Sequence, residues 1–216
     1  MTRAERYQYL LAYFRERQPN VTTELMFGSA FQLLCATLLS AQCTDKRINQ
    51  VTPALFERYP DAAAMAQASE EEVLEYIRSV SYPNAKARHL VAMAQMLVKD
   101  YQGEVPEDIK DLTRLPGVGR KTANVMQAVW FGRAAMAVDT HVYRVSHRLG
   151  LVSPKANTPE KVERELMQYI PAADVPNAHH WLLLHGRYVC QSQRPKCEQC
   201  DFNNFCPKRM EQSKLR

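Results

Sequence analysis

Leu115-Pro116-Gly117-Val118-Gly119-Arg120-Lys121-Thr122-Ala123-Asn124-Val125 is the stretch on which the reading of this chain turns. Two glycines two apart, after a proline and directly before a helical run, predict a tight turn with bare backbone N–H groups. Such a turn and the helix N-terminus that follows form an anion site, because unpaired donors and the helix dipole both favour negative charge. Lys121 stands two positions past the second glycine, in the first helical turn, beside any phosphate held there. The spacing is not that of a Walker loop, which places four residues between its glycines and follows the second with Lys-Ser or Lys-Thr. The plain alternative is a corner between two helices, 108–114 and 121–131, that binds nothing.

Outward from this turn the apolar pattern is helical almost throughout. Thr2-Arg3-Ala4-Glu5 and Ser69-Glu70-Glu71-Glu72 both fit a capping box ahead of an amphipathic run. Phe31, Leu34, Cys35 and Leu38 follow the i, i+3, i+4, i+7 rule, as do Ile48, Val51 and Leu55 in the next segment. Leu90, Met93, Ala94 and Leu97 mark a further helix that stops near Gly103. Thr158-Pro159 predicts an N-cap with proline at the first helical position, and Val142, Val145 and Leu149 before Gly150 mark a helix and its end. Alternating strand patterns are absent, so the expected fold class is all-α. The Glu70–Glu72 acids read as a solvated first turn.

The chain has 216 residues, enough to bury a core as one domain or two small ones. No apolar run approaches the length of a membrane span, and the N-terminal Met1-Thr2-Arg3-Ala4-Glu5-Arg6 lacks the apolar segment of a signal peptide. A cytoplasmic protein with reduced cysteines is expected, on the nucleoid if the source is bacterial. The net charge is +5. Residues 181–216 hold seven Lys/Arg (Arg187, Arg194, Lys196, Lys208, Arg209, Lys214, Arg216) against three acids, and so carry most of that excess. A charge excess of this size points weakly to a polyanion and equally to a solvated surface.

The same segment holds Cys190, Cys197, Cys200 and Cys206, spaced C-x6-C-x2-C-x5-C. Four thiolates within 17 residues of an intracellular chain read as metal ligands rather than disulfides. Zinc usually takes two C-x2-4-C knuckles, of which only Cys197/Cys200 is one; four thiolates also suit an iron–sulfur cluster. Spacing leaves the two evenly matched. Cys35, on an apolar helical face, and Cys43 both read as buried thiols.

The Leu115–Val125 stretch, Val138-Asp139-Thr140-His141-Val142 soon after it, and the four-cysteine tail occur in this order in the endonuclease III family. The chain resembles that family, bifunctional DNA glycosylases and apurinic/apyrimidinic (AP) lyases of the helix-hairpin-helix superfamily, over essentially its whole length. Leu38-Leu39-Ser40-Ala41-Gln42, Gly103-Glu104-Val105-Pro106 and His180 to Arg187 add to the likeness. The resemblance implies two all-α domains with a DNA cleft between them. One is a six-helix domain over about 23–134 with the hairpin at about 108–131. The other joins residues 1–22 to 135–216 and holds a [4Fe–4S] cluster on the four cysteines. Zinc then becomes the minor reading.

An enzyme that acts on a base in duplex DNA must flip the nucleotide out of the stack. The resemblance makes Lys121 the nucleophile and Asp139 the carboxylate that assists it. Each has a structural alternative: a solvated first-turn lysine, and an N-cap for the helix 140–149. Lysine ordinarily titrates at about 10.4, so the chemistry requires local deprotonation by burial, the hairpin dipole or a neighbouring base. The expected DNA contacts are Leu115, Gly117, Val118, Gly119 and Arg120 on the hairpin, Gln42 in the space left by the flipped base, Arg144, and Arg194 and Lys196 on phosphates. Relatives carry a Gly, a bulky apolar wedge and a Tyr where this chain reads Ser81-Tyr82-Pro83. Tyr82 is therefore the expected wedge, held extended by Pro83. The expected partner is double-stranded DNA with a damaged pyrimidine or an AP site, bound by a monomer without a membrane. Alternatives are an adenine-mismatch-type glycosylase, disfavoured by Lys121 and the short C-terminus, a non-catalytic helix-hairpin-helix module, and a zinc-stabilised scaffold.

Overall fold

The structure, a computed structural model, describes residues 1–207. Lys208, Arg209, Lys214 and Arg216 of the basic tail lie outside the described residues. Eleven α-helices and two short 3₁₀ turns make up the regular structure among the described residues, and no strand occurs there. The chain divides into two units: Met1–Thr23 with Gly132–Arg216, and Glu24–Phe131.

The continuous unit carries α2 (Ala30–Leu39), α3 (Asp45–Arg58), α4 (Ala62–Ala66), α5 (Glu70–Ile77), α6 (Pro83–Tyr101), α7 (Ile109–Arg114) and α8 (Arg120–Val129). These are seven helices where six were expected, because Asp61 caps the five-residue α4 through its carboxylate on the Ala64 N–H at 2.8 Å. Leu34, Leu38, Ile48, Leu55, Met65, Ile77, Leu90, Met93 and Leu97 fill the core between them. The hairpin contributes Leu112, Leu115, Val118, Ala123 and Met126 to that core, so its turn is anchored from below by apolar side chains.

The discontinuous unit is built from α1 (Arg3–Arg17), α9 (Thr140–Arg148), α10 (Pro159–Tyr169) and α11 (Val175–Tyr188). The Thr2–Glu5 capping box is present, as is Ser69–Glu72 in the other unit. Phe14 stacks on Trp181 with centroids 5.5 Å apart, and both lie in a core with Tyr7, Leu10, Val142, Val145, Leu166 and Phe202. Gly186 lets α11 approach α9 closely, since a Cβ there would stand 2.8 Å from His141 Cβ and 3.0 Å from Val145 Cγ2. Cys190, Cys200 and Cys206 pack half-buried against the same core, where Phe202 is fully enclosed. The cysteine loop is thus seated on apolar contacts as well as on any ligand. Cys35 is buried as expected, and burial pushes its thiol up; Cys43 is only half-buried.

Candidate functional site

The hairpin turn has the pattern of a type II β-turn. Pro116 follows Leu115, Gly117 takes φ +77°, and the Val118 N–H donates to the Leu115 carbonyl at 3.0 Å. Gly117 is required twice over: its backbone is left-handed, and a Cβ would lie 2.9 Å from His89 Cβ and Leu38 Cδ1. The Val118 amide is therefore spent inside the turn and its side chain is buried, as is that of Leu115. These two residues form the scaffold of the site rather than its outward donors. Gly119 is the N-cap of α8, and a Cβ there would meet open space.

The start of α8 differs from the other helix starts. A side-chain oxygen caps α1, α2, α3, α4, α5, α7, α9 and α10, while α6 and α11 begin with proline in the first turn. α8 has neither, because Gly119 offers no oxygen. The first N–H groups of a helix have no intrahelical acceptor, so the sequence leaves this end to be satisfied from outside. Arg120 and Lys121 lie exposed in that first turn.

Asp139 is the half-buried N-cap of α9, its Oδ1 accepting the Val142 N–H at 2.7 Å. One carboxylate oxygen caps the helix and leaves Oδ2 for other work. The short segment before it is held from α11, where His179 Nδ1 meets the Ala137 carbonyl at 2.8 Å.

Arg144 is occupied. Its Nε donates to the Cys190 carbonyl at 3.1 Å, Nη2 to the Gly186 carbonyl at 2.8 Å, and Nη1 to the Thr140 carbonyl at 3.3 Å. It braces α9 to the end of α11 and to the cysteine loop. Arg194, at φ +50°, and Lys196 are exposed on that loop.

Gln42 and Tyr82 are exposed, and both adopt φ +54°. The expectation that Pro83 holds Tyr82 extended is overturned: Tyr82 is left-handed at ψ +51° and serves as N-cap of α6. Pro83 occupies the first helical position, where its own φ is favourable, and the helix start sets the residue before it. A left-handed non-glycine residue costs of order 1–3 kcal/mol and persists only where its surroundings fix it. Here Ser81 Oγ donates to the Gln42 carbonyl at 2.6 Å, and Lys86 Nζ donates to the carbonyls of Leu39 at 2.8 Å and Ala41 at 2.7 Å. Burial lowers the pKa of Lys86 against a smaller opposing effect of Cys43. The sequence reading passed over Lys86, although it sits four residues before Leu90 on the buried face of α6.

All four cysteines line one pocket, together with Arg148, Leu149, His185, Val189, Pro195, Lys196 and Asn203. Arg148 Nη1 lies 3.6 Å from Cys190 Sγ and donates to the Gln191 carbonyl at 2.6 Å; Cys206 Sγ is 3.1 Å from the Arg148 carbonyl. His185 Nε2 stands 3.7 Å from Cys200 Sγ. Burial pushes the Cys200 thiol up to about 11 and holds His185 at about 4.

Residues 35–172 match the HhH-GPD superfamily of base excision DNA repair proteins. Endonuclease III of Rickettsia conorii is 46% identical over 89% of this chain and 91% of its own length. The Escherichia coli K12 endonuclease III is 43% identical over 95% of this chain and 96% of its own. A trapped endonuclease III–DNA covalent intermediate superimposes over the whole of both chains, with a TM-score of 0.91 and 40% identity. Hairpin, Asp139 cap and cysteine pocket thus stand in a chain that matches such proteins along nearly all of its length, and it belongs to the endonuclease III family of the HhH-GPD superfamily.

Proposed function

We propose that the chain is a bifunctional DNA glycosylase and AP lyase that removes oxidised pyrimidines, with Lys121 as its nucleophile and Asp139 as the assisting carboxylate. The observation that carries the reading is the uncapped start of α8, which pairs a helix N-terminus open to phosphate with an exposed lysine one residue into the helix. The Lys121 amine attacks the sugar C1′ and expels the damaged base with its bonding electrons. Opening of the C1′–O4′ bond, with the amine proton passing to the ring oxygen, converts the adduct into a Schiff base that acidifies the C2′ proton; β-elimination then breaks the C3′–O bond, and the 3′ phosphate leaves with its electrons. A carboxylate at Asp139 Oδ2 stabilises the positive charge that develops on the sugar. That a relative has been trapped as a covalent DNA intermediate supports a nucleophile of this kind.

The cysteine pocket fits a [4Fe–4S] cluster. All four cysteines line one pocket, and no carboxylate lines it. Four cysteines around one pocket suit the thiolate ligation of an iron–sulfur cluster. Arg148 Nε is buried and without a partner, a donor that sulfur at this site would satisfy. Cys190, Cys197, Cys200 and Cys206 would hold the cluster, and their bonds to it would tie residues 190–206 together. The chain's own residues use that order to present Arg194 and Lys196 to phosphate.

Gln42 and Tyr82 are the residues proposed to enter the stack when the base leaves, with double-stranded DNA bound by a monomer in the cytoplasm. No helix among the described residues is long and apolar enough to cross a membrane. Borohydride trapping tests the central claim. The parent chain forms a stable adduct with duplex carrying an oxidised pyrimidine, and Lys121→Gln forms none while still binding that duplex. An adduct retained by Lys121→Gln would assign the nucleophile elsewhere.

A further inference from the structure

The turn after α2 and the turn before α6 are joined by one side chain that the proposed chemistry does not use. Residues 39–42 have every carbonyl engaged: Leu39 and Ala41 by Lys86 Nζ, Ser40 by the Cys43 N–H at 3.0 Å, and Gln42 by Ser81 Oγ at 2.6 Å. Lys86 reaches them from inside the fold, being buried, and so fixes the end of α2. Ser81 acts further out. Ser81 directly precedes Tyr82, and its hydroxyl donates across 39 residues of sequence to the backbone of Gln42, so it links the two exposed left-handed positions.

We propose that Ser81 is a positioning residue whose hydroxyl sets the Gln42 and Tyr82 turns as one unit, so that both side chains enter the DNA stack already oriented. The proposal rests on the reading that Gln42 and Tyr82 are the inserting residues. Two turns free to move separately would each have to be ordered when DNA binds, and a bond present beforehand removes that cost. A glycine or alanine at this place keeps the chain path but has no hydroxyl to donate. The effect belongs to the step in which a base is displaced, and cleavage at a site that has already lost its base does not need it.

The test uses the full chain on two duplexes, one carrying thymine glycol and one a preformed AP site, under single-turnover conditions. Ser81→Ala slows base release about three- to tenfold, the worth of one neutral hydrogen bond. It leaves AP-site cleavage within about twofold, the difference that separates positioning from general damage. Ser81→Thr, which keeps the hydroxyl, restores base release. In a Tyr82→Ala, Gln42→Ala background the further change Ser81→Ala has no effect, because nothing remains to be positioned. If Ser81→Ala matches the parent while Tyr82→Ala slows base release, the positioning role is overturned and the insertion reading stands. Parent-like rates from both Tyr82→Ala and Gln42→Ala overturn the insertion reading and the proposal with it. Equal losses on both duplexes from Ser81→Ala, with a lowered Tm, make the bond a stabilising one and also overturn the proposal.

Discussion

Asp139 shows how one side chain serves structure and the proposed chemistry together, since Oδ1 takes the Val142 N–H and Oδ2 is left over. Asparagine caps a helix as well as aspartate does, whereas alanine loses about 1 kcal/mol. Asp139→Asn should therefore leave urea-induced unfolding close to the parent and reduce single-turnover base release by about a hundredfold or more. Asp139→Ala should lose both. Equal rates for Asp139→Asn and the parent would remove the carboxylate from the mechanism and leave Asp139 as a cap. The capping role was legible in the sequence, because a cap and its helix are neighbours in the chain; the proposed catalytic role came only through the family resemblance. Arg144 was legible only as a basic residue near the site. Its acceptors at Gly186 and Cys190 lie more than 40 residues away, and no local pattern encodes them. The left-handed Tyr82 escaped for a related reason: proline's preference for an extended predecessor is a local rule, and the start of α6 outweighs it.

At the scale of the element, the helices followed from caps and apolar spacing because both act within one or two turns. The hairpin is more instructive. Its glycines announced a turn, but only the fold shows that the Val118 amide closes that turn and that the helix start alone faces outward uncapped. α11 offers a test of a different kind. His179 and His180 are both buried, with ring centroids 4.8 Å apart. Burial, and to a smaller degree the neighbouring His179, lowers His180 to about 3 from its ordinary 6.5. In the folded chain His180 stays neutral over a range in which the unfolded chain takes up a proton. Stability from this residue is thus complete above pH 6.5 and is lost as pH falls through the window down to about 3. Each pH unit inside the window costs about 1.4 kcal/mol for one such proton. Urea midpoints between pH 6.5 and 5, above most carboxylate titration, should fall in the parent and fall less steeply in His180→Gln. The same slope in both would show that His180 is protonated in the folded chain.

Across the whole molecule the two units differ in what holds them together. The continuous unit has a broad aliphatic core, whereas the core of the discontinuous unit extends to Cys190, Cys200 and Cys206 through Phe202. A segment as short as 190–206 has little apolar surface to bury, and on the proposed reading ligand bonds would add to that contact. The sequence announced the four candidate ligands by their spacing. It gave no sign that Arg148 would lie 3.6 Å from Cys190, nor that all four thiols would share one pocket with no carboxylate in its lining. Those are features of three-dimensional assembly, and they would place the proposed cluster beside the half-buried Arg148. Burial pushes the Cys200 thiol up to about 11, and on the proposed reading Cys200 is one of the four residues that would hold the cluster. Cys200→Ser should therefore purify without visible absorbance and with less than the parent's iron. Its cysteine loop should be cut readily by protease, and its affinity for undamaged duplex should fall as Arg194 and Lys196 lose their fixed placement. Far-UV circular dichroism should change little, because the helices of the continuous unit have a core of their own. Stoichiometric zinc without iron in anaerobically purified parent protein would overturn the cluster assignment. Protease resistance and DNA affinity unchanged in Cys200→Ser would show instead that Phe202 and the apolar contacts suffice to hold the loop.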